Sequence, residues 1–209
     1  MRRFTLVLVL VLVVLAGCKD ERAASAPPPA ASRGLAGVYP DKWRCDSVAT
    51  LDVLGQLLGG TVKPVDSAAP VEPGLPHPCV YEVQAQELER WMFDADCRDG
   101  MKRRADALFV QYRELSREAI EQYNARSEAH PTKARDAGVA LHPPEPAVDV
   151  AVGAKGLDYR GQGLLFIDDD APCYVRVIGG DAARRLELAK LVAKNLTFAN
   201  APMSPRALP

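Results

Sequence analysis

Three aspartates, Asp94, Asp96 and Asp99, cluster in "FDADCRDG" and are the nearest thing in this chain to paired carboxylates for acid and base chemistry. Their alternation with apolar neighbours also fits the wet side of an edge strand. Asp168, Asp169 and Asp170 are adjacent but lack the spaced oxygen ligands and the glycine of an EF-hand loop, so they read as a solvated turn. His77, His130 and His142 each precede a proline, as "HPC", "HPT" and "HPP", without the H-x-x-x-H spacing of a metal site. No serine sits in a G-x-S-x-G elbow. The five cysteines, Cys18, Cys45, Cys79, Cys97 and Cys173, contain no close C-x₂-C pair of the zinc type. The residues thus point to no cofactor, no metal and no catalytic set, and an odd cysteine count in an exported protein leaves one thiol to explain.

What precedes Cys18 explains it. Arg2 and Arg3 are followed by the uncharged run 4–17, "FTLVLVLVLVVLAG", closing on the small residues Ala16 and Gly17. About 20 apolar residues are needed to cross a bilayer as a helix, and this run is shorter; a positive start, an apolar middle and a small-residue end describe an export signal. The tetrapeptide "LAGC", residues 15–18, resembles the lipobox of bacterial lipoprotein signal peptides. The resemblance implies that residues 1–17 are a signal peptide and that Cys18, acylated, becomes the first residue of the mature chain and holds it in a lipid bilayer. Each buried CH₂ contributes about 0.8 kcal/mol, so a diacylglycerol with a further acyl chain is a durable anchor. Lys19 in the second mature position, in place of Asp, implies the outer membrane facing the periplasm in a Gram-negative cell, and otherwise the outer face of the cytoplasmic membrane. Residues 18–35, "CKDERAASAPPPAASRGL", are first charged and then rich in Ala, Pro and Ser, a composition that makes a flexible tether. Such a chain spans on the order of 20 to 25 Å, and about 55 Å at full extension.

With Cys18 acylated, the other four cysteines are an even set in an oxidising compartment, where disulfides persist. Four cysteines allow three pairings. On the chain-entropy account two such bridges contribute roughly 4 kcal/mol each. Residues 36–209 are long enough for one α+β domain with its own core. Its charge is unremarkable: 26 Lys and Arg less the two in the signal leave 24 against 27 Asp and Glu. That balance gives no basic excess for a nucleic-acid surface.

The elements follow from periodicity. Ser47 is a candidate N-cap for a helix over "VATLDVLGQLL", with Val48, Leu51, Leu54, Leu57 and Leu58 at helical spacing and Gly59-Gly60 as its stop. "TVKPV" predicts a short strand confined to an edge by Pro64. "CVYEVQA" and "LERWMFDADC" predict two further strands, the second alternating Trp91, Phe93, Ala95 and Cys97 with Arg90, Met92, Asp94 and Asp96. From 99 to 127, a stripe of Ala105, Leu108, Phe109, Tyr112, Leu115, Ala119, Ile120 and Tyr123 predicts one long amphipathic helix, laid across a sheet in preference to the alternative of a partner-binding or membrane-lying helix. "AVDVAV" and "GQGLLFI" predict strands separated by a connection "GAKGLDYR", and the three aspartates turn the latter strand into "CYVRVIGG". Asp181 caps a last helix with Leu186, Ala189, Ala193 and Leu196 on one side. The order predicts a mainly antiparallel sheet with one long helix and a shorter helix at each end. The proline-bearing loops at 66–78 and 130–147 are the expected places for a small ligand or an envelope protein partner.

The cysteine before a short helix ending in "LLGG", then "PCVYE", "VAVGAKG", "GLLFIDDDAPCYVRVIGG" and "LAKLVAKNL" together resemble the extracytoplasmic lipoprotein domain of the DUF3558 type, across most of residues 41–198. That group has no agreed activity. The resemblance implies that Cys45 pairs with Cys79, and with that pair in place Cys97 with Cys173. The second pair and the length of the helix at 99–127 depart from the group's pattern. The expectation is a lipid-anchored binding module of the envelope, sensor or accessory in kind. The alternatives are an envelope hydrolase using Asp94, Asp96 or Asp99, and a structural envelope protein.

Overall fold

In Leu88–Asp96 (β4), Trp91, Phe93 and Ala95 are buried while Met92, Asp94 and Asp96 are partly exposed and Arg90 is exposed, as a strand with two differently covered faces requires. A computed structural model of the chain describes residues 35–67, 71–129, 143–159 and 163–207. The expected signal segment 1–17, Cys18, residues 19–34 of the expected tether, His130 and His142 lie outside the described residues.

Around β4 stand Thr61–Val65 (β2), Cys79–Gln84 (β3), Val148–Val150 (β5), Lys155–Tyr159 (β6), Gly163–Ile167 (β7) and Tyr174–Ile178 (β8). They form one seven-stranded sheet in the order β2-β3-β4-β8-β7-β6-β5, antiparallel throughout. Pro64 sits in the edge strand β2, where its missing N–H breaks no inner ladder. A two-stranded ribbon of Leu35–Ala36 (β1) and Arg206–Ala207 (β9) pairs the first and last of the described residues; neither strand is foreseen from the sequence, and β1 begins at the last residue of the expected tether.

One face of the sheet carries Leu51–Leu58 (α1) and Ala182–Asn195 (α3). Leu54 and Leu58 from α1 and Leu188, Ala189 and Val192 from α3 join Tyr81, Val83, Trp91, Phe93, Phe166, Val175 and Val177 in the main core. α1 starts three residues later than the sequence pattern suggests. Thr50, not Ser47, is its N-cap, while Ser47 closes a 3-10 turn by donating its Oγ–H to the Arg44 carbonyl at 2.6 Å. Val48 and Ala49 between them are buried, and sinking both into the core delays the helix. Gly59 ends α1 in the left-handed conformation, φ 75°, as a C-terminal glycine does.

In α3 the Asp181 cap is present, its Oδ1 accepting from the Arg184 N–H at 2.9 Å. The buried stripe runs through Arg185, Leu188, Ala189, Val192 and Leu196, so Leu186 and Ala193 are only flanks of it. Arg185 belongs to the stripe because it pairs with buried Asp158 on β6, Nη2 to Oδ1 at 3.4 Å, and donates Nη1–H to the carbonyls of Gly179 and Gly180 at 3.1 and 2.6 Å. The expected connection "GAKGLDYR" is in fact mostly β6. Its Gly156, Leu157, Asp158 and Tyr159 are all buried, and pairing with β5 and β7 overrides a sequence poor in strand formers.

The other face carries the long helix, Met101–Ala129 (α2). Met101, Ala105 and Phe109 pack on Leu157, Tyr159, Leu165, Ile167 and Tyr174, with Leu108 and Tyr112 at the margin. Farther along, Leu115 is 49% exposed, since the predicted stripe outruns the sheet beneath it. Both disulfides are present: Cys45–Cys79 ties the segment before α1 to β3, and Cys97–Cys173 joins the end of β4 to the start of β8. Among the described residues, no helix is long and apolar enough to cross a membrane.

Candidate functional site

The register of β4 against β8 sets Asp94 opposite Arg176 on the α2 face. Arg176 donates both Nε–H and Nη2–H to Asp94 Oδ2, at 3.1 and 2.6 Å. Because α2 reaches over β6 to β8 and stops short of β4, this pair forms the floor of a groove of about 500 Å³. Tyr112, Leu108 and Met101 of α2 make one wall, Leu75, Pro76 and Pro78 of the 66–78 loop the other, and Met92 and Tyr174 flank the pair below. Burial raises the Asp94 carboxyl above its ordinary range, against the opposing pull of Arg176, and burial likewise raises the Tyr174 phenol.

An arginine holds the loop wall in place. Arg98 donates Nε–H and Nη2–H to Asp96 at 3.0 and 2.7 Å and Nη1–H to Glu72 of the loop at 2.8 Å. The planar guanidinium suits such two-sided binding of carboxylates. The three aspartates singled out from the sequence therefore part company. Asp94 lies on the groove floor, Asp96 is turned into the arginine clamp, and the Asp99 carboxylate is 98% exposed with Arg206 at 3.8 Å as its partner. No two of them converge as an acid and base pair.

Asp168 is distinct from its neighbours in the acidic turn. It is fully buried, its Oδ1 accepting from the N–H groups of Asp170 and Ala171 at 3.0 and 2.6 Å, while Oδ2 has no hydrogen-bond partner among the described residues. Burial pushes its carboxyl up to about 6, against the two backbone bonds. Asp169 and Asp170 are exposed. Among the described residues no group of three or more His, Cys, Asp and Glu could hold a metal ion. His77 is exposed in the groove-wall loop.

Of the two loops expected to carry a ligand, 66–78 lines the groove; of 130–147, only 143–147 is described, where the Ala147 N–H binds Ser116 Oγ at 2.9 Å. The sequence reading missed Arg176, Tyr174, Tyr112 and Arg98. Arg176 had a signal, a charge in the middle of the apolar strand "YVRVI", but its partner becomes visible only through the strand register. The groove offers aromatic and aliphatic side chains that an apolar body could contact, above a half-buried ion pair with directional hydrogen-bonding atoms. Comparison with known proteins finds no family model, no curated protein and no solved structure that matches the chain.

Proposed function

We propose that this chain is a lipid-anchored binding module of the cell envelope, held by an acylated Cys18 on a short tether and taking a small ligand or a segment of a partner protein in the groove between α2 and the 66–78 loop. The observation that supports it is the Asp94–Arg176 pair at the base of a groove with largely apolar walls, on a sheet whose other face is covered by α1 and α3. The motif "LAGC" and the even set of four paired cysteines support export and anchoring.

Two measurements test the reading in separate parts. Incorporation of a clickable palmitate analogue into the wild-type chain, and its loss in Cys18→Ala, tests the anchor. Thermal stabilisation by fractionated envelope extract, compared between wild type and a groove-filling Leu108→Trp variant, tests the groove. Labelling without stabilisation would retain the anchor and sink the binding site; stabilisation that survives Leu108→Trp would move the site elsewhere.

A further inference from the structure

The first turn of α2 carries Lys102, Arg103 and Arg104 in succession, all exposed and without an acidic residue in that turn. Cations at this end oppose the helix macrodipole, which favours negative charge there by about 0.3 to 1 kcal/mol per group. The helix gains nothing from them. Among the described residues no acid pairs with them: Asp96 and Glu72 are held by Arg98, Asp106 by Lys155, and Asp99 has Arg206 as its partner. In the middle of α2 the cations are matched, Arg117 with Glu114 and Glu121, and Arg113 with Asp149. Among the described residues, three adjacent cations without an ion pair thus stand together at the start of α2, against a single one, Arg126, in its last turn.

That end lies beside the start of the folded unit. Arg206 of β9 pairs through its backbone with Ala36 of β1, and its side chain reaches Asp99 just before α2. Ala36 in the first described strand is thus linked through Arg206 to Asp99, three residues before Lys102. A tether spanning on the order of 20 to 25 Å keeps this surface near the bilayer, and screening confines its attraction to contacts within about 10 Å.

We infer that this cationic surface rests on the anionic phospholipid headgroups of the membrane that holds Cys18. The inference depends on the acyl anchor of the proposed function for its orientation, and the charge supplies the contact. Its effect is to seat the domain with one end of α2 down, so that the groove, which Arg104 also borders, opens alongside the membrane surface.

The test uses residues 19–209, which contain the whole folded unit Gly34–Pro209, sedimented with vesicles of phosphatidylcholine alone or mixed with phosphatidylglycerol. Binding should require the anionic lipid and weaken as salt is raised. At about 1 kcal/mol per basic residue near such a surface, the triple variant Lys102→Glu, Arg103→Glu, Arg104→Glu should lower partitioning about a hundredfold or more. A Lys102→Gln, Arg103→Gln, Arg104→Gln variant should lose most of it too, with an unchanged circular dichroism spectrum, which separates charge loss from misfolding. Lys63→Glu, on the edge strand β2, should leave partitioning within about twofold, the small change expected of one charge away from the contact. Equal binding to neutral vesicles, no binding to anionic ones, or full binding by the triple variants would overturn the inference. Palmitate labelling at Cys18 reads the anchor independently: labelled protein without anionic preference refutes this surface alone, and unlabelled protein refutes the anchored orientation on which it rests.

Discussion

On one face of the seven-stranded sheet α1 and α3 bury Trp91, Phe93 and Val177 completely, whereas on the other α2 covers β6 to β8 and leaves Met92, Asp94 and Arg176 beneath a groove. The difference lies in how many helices each face receives. Two short helices side by side span the central strands of one face; one long helix spends much of its length beyond the sheet, as exposed Leu115 shows. Stability is therefore concentrated on the closed face. The half-open face is free to carry polar residues that a core would exclude.

The largest expected contrast comes from truncating adjacent residues that point to opposite faces. Trp91→Ala should lose about 3 to 5 kcal/mol in denaturant unfolding, as expected for a fully buried aromatic. Met92→Ala, one residue away but facing the groove, should lose under about 1.5 kcal/mol. Comparable losses would mean that the groove face is core after all.

Next in size is the buried ion pair that joins α3 to β6. Arg185→Met leaves the Asp158 carboxylate buried without its partner and should lose roughly 3 kcal/mol or more, while Arg185→Met combined with Asp158→Leu should recover much of that loss. An additive double variant would show that the two side chains do not act as a pair.

Asp168 sets a pH dependence of opposite sign to most carboxylates. Its carboxyl holds a proton more tightly folded, up to about 6, than unfolded, near 3.8. The folded state therefore binds more protons between these values, and this residue's contribution to stability falls as the pH rises from about 4 to about 6. Asp168→Asn should remove that fall and be more stable than wild type at pH 7, by on the order of 2 kcal/mol. Curves of unfolding free energy against pH that run parallel for the two proteins would contradict it. Arg98→Ala should have the smallest effect on global stability, under about 1 kcal/mol for a partly exposed clamp, yet it should speed amide exchange in the 66–78 loop and leave α3 unchanged.

Much of the fold was legible because its segments obey one period at a time. Trp91, Phe93 and Ala95 alternate cleanly, Ala105, Phe109 and Tyr112 recur at helical spacing, and Gly59 and Asp181 punctuate helices by known chemistry. The pairing of Cys45 with Cys79 and of Cys97 with Cys173 came from a resemblance, and the structure contains both bridges. What stayed hidden was long-range. β6 is buried on both faces and carries Gly156 and Asp158, so no alternation marks it; Asp158 is tolerated only through Arg185, 27 residues away. The groove was half legible. Asp94 and the 66–78 loop could be named as candidates, but Arg176 lies 82 residues from Asp94, and only strand register brings them together.

The proposed function puts the contact with an envelope ligand or partner on the half-open face. Hydrogen exchange of the full lipidated chain, compared in native envelope membranes and after purification into detergent, tests it most directly. Added protection in the membranes at 92–96, 104–112 and 174–176, with none added in α1 or α3, is the predicted result. Identical exchange in the two states, or added protection confined to the α1 and α3 face, would contradict it.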